Sequence, residues 1–86
     1  MAMSLVRNGR ARLALALPHH REQLRIVKSL ELDALFEAYA IAAMTLENLR
    51  KENPPREDVM LEYQGLCLDM QAEAVQLLER HGRERK

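Results

Sequence analysis

The chain is 86 residues long, has no formal net charge, and is 48% hydrophobic with only 3% aromatic residues. That length sets one domain as the ceiling, and a lone domain this poor in large side chains builds a thin core. Zero net charge removes any case for nucleic-acid binding from bulk basicity. The single cysteine excludes an internal disulfide and fits a reducing compartment. No apolar run approaches a membrane span and no signal-peptide pattern is present, so a cytoplasmic protein without a membrane partner is expected.

In chain order, Arg7, Arg10 and Arg12 surround Asn8-Gly9, a turn-prone dipeptide. From Leu13 to Leu17 leucine alternates with alanine, which fits a short strand by period and a helical turn by propensity. Residues 1–17 are therefore expected to form a flexible basic arm. Pro18 opens a new element, and Leu24 and Val27 recur at helical spacing with Ile26 beside them, so residues 19–28 read as a short helix.

Ser29 is a good N-cap, with Glu31 and Asp33 placed to favour the exposed N–H groups of a first turn. Leu32, Leu35, Phe36, Tyr39, Ala42, Ala43, Leu46 and Leu49 then fill one stripe about 140° wide. This predicts a helix over 29–53, stopped where Asn53 precedes Pro54-Pro55. Pro55 suits the first position of a second helix over 55–81. Its stripe is Val59, Met60, Tyr63, Leu66, Cys67, Met70, Ala74, Leu77 and Leu78, with Gly82 as the stop and 82–86 as a tail. A connection this short makes the two helices antiparallel neighbours. The expected fold is all-α: one helical domain over 1–86, a two-helix hairpin with a short N-terminal helix and a basic arm.

Each helix also has a second apolar strip. Leu61, Leu68 and Val75 are seven residues apart, more than 100° from the main stripe at about 100° per residue. Leu30, Ile41 and Met44 lie opposite the core face of the first helix. A hairpin covers one stripe per helix, so the rest needs residues 5–27 folded back over it, a second copy of the chain, or another protein. Self-association into a helical bundle, as a homodimer, or partner binding is the expectation.

Charge is divided along the chain. Residues 1–28 hold six basic side chains and one acidic, residues 29–79 three basic and eleven acidic, and residues 80–86 four basic and one acidic. The basic ends can fold onto the acidic hairpin, reach for phosphates, or remain solvated tails. For a nucleic-acid role the candidates are Arg7, Arg10, Arg12, Arg21 and Arg25.

Catalytic and metal chemistry find little support. His19 and His20 are adjacent, so on a helix they point about 100° apart and do not chelate one ion. Cys67 has no histidine or basic residue at helical reach and reads as a small buried hydrophobe. Glu37, Glu47, Glu62, Asp69 and Glu73 spread over polar faces, and the glycines form no phosphate loop. No enzyme, cofactor or metal is expected.

Tyr63, then Asp69-Met70-Gln71-Ala72-Glu73, then Leu77 resemble the corresponding helix of the TraM antiactivators. That resemblance covers at most Leu30–His81 and is carried by the one helix. It implies a small, dimeric, all-helical cytoplasmic protein of bacterial conjugative elements that sequesters a LuxR-type quorum-sensing activator and so regulates transcription. The residue reading agrees on a binding protein, with Leu61, Gln64, Leu68, Gln71 and Val75 as the partner-binding surface. The alternatives are a nucleic-acid-associated protein and a purely structural dimerisation module.

Overall fold

Every regular element among the described residues is helical. The computed structural model describes the backbone of residues 2–84 and the side chains of residues 5–82. Helix α1 spans Ala2–Ala16, a 3-10 turn covers Pro18–His20, and α2 (Arg21–Ile26), α3 (Leu30–Arg50) and α4 (Glu57–Glu84) follow.

The N-terminal segment corrects the expectation of a flexible arm. Residues 2–16 are one helix, and its contact with α3 is the most extensive in the molecule. Leu13 is fully buried and Gly9 is buried, while Leu15, which the strand reading placed beside Leu13 and Leu17, is 85% exposed. Leu13 and Leu17 are four apart and share a helix face; Leu15 lies on the other side. Gly9 does not turn the chain, since no glycine has positive φ. It lets two helix backbones meet: a Cβ built there would stand 1.7 Å from the Phe36 carbonyl oxygen. Pro18 ends the helix through the residue before it, as Leu17 is driven to φ −125° and ψ 68°.

Ser29 caps α3 as its sequence predicts, its hydroxyl accepting from the Leu32 N–H at 3.3 Å. The chain is not helical from Val27 to Ser29, so α2 and α3 are separate elements. Helix α3 ends at Arg50, three residues before the predicted stop, and residues 51–56 form the connection. There the Arg56 guanidinium donates twice to the Glu52 carboxylate, both at 2.8 Å. Helix α4 begins at Glu57, with the Met60 N–H donating to the Arg56 carbonyl, and not at Pro55. It passes through Gly82 to Glu84, so Gly82 is no stop, and the described part of the 82–86 tail is helical.

Helix α3 is the centre of the molecule, with α1 and α4 each packed mainly against it. Glu31 meets Arg80 and Tyr39 meets Gln71, so contacts between α3 and α4 run in opposite chain senses. Two neighbours widen the buried face of α3 to about 180° at 100° per residue. The widening reaches Ala40, fully buried and outside the predicted stripe. Phe36, Leu32, Leu24, Leu13 and Leu78 are the largest side chains buried without residue. Helix α4 packs mainly against one neighbour and has a narrower buried face, which leaves Leu66, a predicted core residue at the edge of its stripe, 47% exposed.

The glycine contact gives a paired test. Gly→Ala in an open helix position raises helix propensity by about 1 kcal/mol. Nothing lies within 4 Å of a Cβ at Gly65, so Gly65→Ala is expected to stabilise by up to about 1 kcal/mol. Gly9→Ala must push α1 off α3 and is expected to destabilise by about 1–3 kcal/mol despite the same propensity gain. Urea unfolding of both variants reads the opposite signs.

Candidate functional site

Two surfaces gather the side chains that the sequence singles out. The first is a groove of about 400 Å³ where α1, α3 and α4 converge. Gln64, Leu68 and Gln71 line it from α4, Tyr39, Glu47 and Arg50 from α3, and Arg12 from α1. Leu61 is two turns before Leu68, in a smaller depression that shares Gln64 with the groove. Val75, half-buried, does not line the groove. Leu61 and Leu68 are 67% and 63% exposed, so the folded-back N-terminus does not cover this strip. Nor does it cover Leu30, Ile41 and Met44, which all remain exposed on α3.

The polar chemistry of the groove is fixed by cross-helix pairs. Arg12 donates through Nη1 and Nη2 to the two Glu47 oxygens, at 2.8 and 3.2 Å, and its Nε donates to Asn8 Oδ1 at 2.6 Å. This fork raises the Arg12 pKa and lowers that of Glu47, the hydrogen bond being the largest cause in each case. Gln71 Nε2 donates to the Tyr39 hydroxyl at 3.0 Å, which leaves the hydroxyl proton to be offered onward. Cys67 is buried at the groove floor, and burial raises its thiol pKa against the pull of Arg50 and Arg12. Those two cations lie on other helices, so its surroundings are less neutral than its own helix indicates.

The second surface lies between α1 and α2. Arg7, Arg10, Arg21 and Arg25 line one cavity of about 590 Å³. Of the five arginines predicted as a nucleic-acid arm, four gather here and Arg12 turns to the groove. Arg10 stacks over Phe36, its Cζ 5.3 Å from the ring centroid, and Arg25 pairs with Glu22.

Among the described residues no group of three or more His, Cys, Asp or Glu side chains could hold a metal ion, and no helix is long and apolar enough to cross a membrane. Sequence reasoning missed Tyr39, Glu47 and Arg50 as groove residues. Tyr39 reads as core and Glu47 as solvated surface until the position of α1 is known.

The Glu47 shift fixes a pH dependence. A carboxyl whose folded pKa lies below its ordinary 4.5 contributes stability above that value and loses it as pH falls through the lower folded value. Wild type is expected to be more stable than Glu47→Gln at neutral pH, with the gap closing below about pH 4.5. Denaturant titrations at a series of pH values measure the gap.

No protein family, curated protein or solved structure gives a match to the chain.

Proposed function

We propose that this is a small regulatory protein, not an enzyme, that works by occupying a surface of a protein partner. Helices α3 and α4 act as a helical hairpin that presents the Leu61–Leu68 strip and the adjoining groove. The observation that carries this reading is the exposure of both leucines, at 67% and 63%, on a strip of α4 that the rest of the fold leaves uncovered. Side chains of that size contribute about 1.5–3 kcal/mol each on full burial, so two of them form an effective anchor. Gln64 and Gln71 border them with amide groups suited to a polar rim.

A transcriptional activator of the LuxR type is the partner we propose, held as an antiactivator holds it in the cytoplasm. The support is the likeness of the Tyr63–Leu77 stretch to TraM. Tyr63, Met70 and Leu77 of that stretch pack in the core, whereas Asp69, Ala72 and Glu73 are exposed. The likeness thus bears on how the helix packs as much as on what it meets.

We also propose a homodimer. The chain exposes 6188 Å², roughly 1000 Å² more than the about 5200 Å² of a compact monomer of its mass. Its extents are 51 × 25 × 19 Å, the long axis exceeding the about 42 Å that the 28 residues of α4 span. Exposed Leu30, Ile41 and Met44 on α3 provide a face for a second copy, separate from the α4 strip.

Leu68→Glu separates a partner surface from a covert core. The variant is expected to unfold within about 0.5 kcal/mol of wild type, and to lose capture of a purified LuxR-type activator because the apolar anchor is gone and a carboxylate would have to be desolvated on binding. Leu78→Ala, in the true core, should cost about 2–5 kcal/mol. A Leu68→Glu chain unfolded at every concentration, or one that still captures the activator, would defeat the reading. Sedimentation at micromolar concentration should show a species twice 9.9 kDa; a monomer throughout that range would defeat the dimer.

A further inference from the structure

The cavity between α1 and α2 brings four guanidinium groups and one carboxylate together. Glu22 is already engaged by Arg25, which lowers its pKa through their hydrogen bond. Arg7, Arg10 and Arg21 donate to no protein acceptor among the described residues. Arg10 is the sharpest case. Its Nε is the one buried side-chain nitrogen or oxygen among the described residues without a hydrogen-bond partner. Its guanidinium is held by stacking on Phe36, so its orientation is fixed while its donors stay uncommitted.

Like charges gathered over one depression repel unless an anion enters, and a chain of zero net charge has no need of them there for solubility. Planar guanidinium forks match the oxygen spacing of phosphate, and two helices hold these forks at fixed separations. The lining carries three positive charges in excess, close to the charge of a diphosphate near neutral pH. The volume, about 590 Å³, is that of a small-molecule site, and buried Leu24 gives it an apolar floor. We propose that this cavity binds a small phosphorylated ligand through a diphosphate group. Inorganic pyrophosphate and the diphosphate of a nucleotide present the same chemistry. The site does not depend on the α4 surface, and the arginines surround one depression, unlike the extended stripe that would track a nucleic-acid backbone.

Titration calorimetry on the full chain tests it, with inorganic pyrophosphate, ADP, adenosine and a single-stranded oligonucleotide as probes. Pyrophosphate should bind saturably at one per chain, and adenosine should not bind. ADP binding much tighter than pyrophosphate would identify a nucleotide as the ligand, and equal affinity would identify the free diphosphate. Arg10→Lys keeps the charge and loses the fork, and should weaken pyrophosphate roughly tenfold. Arg21→Gln, on the exposed side of α2, should do likewise and decides the matter if Arg10→Lys misfolds. Lys51→Gln makes the same charge change outside the cavity and should leave binding unaltered. Absence of saturable pyrophosphate binding by the folded wild type would overturn the site. So would equal weakening by Arg21→Gln and Lys51→Gln, or an oligonucleotide that binds where pyrophosphate does not.

Discussion

At Gly9 the backbones of α1 and α3 approach so closely that a Cβ would overlap the Phe36 carbonyl, and much of the molecule follows from that contact. Glycine in a helix costs roughly 1 kcal/mol relative to alanine. Here the cost is offset by the many small dispersion contacts that the approach permits, each about 0.1–0.2 kcal/mol. With the backbones this close, Leu13 and Ala40 become fully buried. The neighbouring positions on α1 are then fixed: Arg10 lies over the Phe36 ring and Arg12 reaches Glu47. One residue without a side chain thereby positions a wall of the α1–α2 cavity and an ion pair of the groove.

Local signals were legible wherever a single residue type settles the backbone. The hydroxyl of Ser29, the ring of Pro18, and the three-and-four spacing of the α3 stripe act over a few residues, and each appears as the sequence indicates. Glycine was the weak point, because the same residue serves opposite ends. Gly9 reads as a turn and is a close-packing position; Gly82 reads as a stop and lies inside α4. Neither needs a left-handed backbone, the property that such readings assume. Ala40 and Leu66 were misplaced for a related reason. How wide a buried stripe becomes depends on how many neighbours a helix has, which periodicity does not report.

The candidate surfaces divide along the same line. A strip of Leu61 and Leu68 at seven-residue spacing is visible from the sequence of one helix, and both leucines remain exposed in the fold. The groove beside it was not visible, because Arg12 and Glu47 are 35 residues apart and belong to regions of opposite charge. Their bidentate pair is a long-range consequence of α1 docking. The basic segment likewise changes meaning once folded. A row of arginines in sequence becomes a cluster around one cavity, and the two helices that carry them are bound to the core through Leu13 and Leu24.

The unequal packing of the three long helices has an energetic consequence. Helix α3 is held on both sides, whereas α4 packs mainly on α3 and passes its last turns through a glycine. Opening α4 would give up chiefly the α3–α4 seam and leave the α1–α3 contact largely whole, so α4 is expected to open at lower free energy than α1. Amide protons on α1 and on the facing side of α3 are expected to exchange more slowly than those near the ends of α4. The apolar strip on α4 thus lies on the long helix with the less extensive packing, where a surface can adjust its shape with less disturbance of the core beneath it.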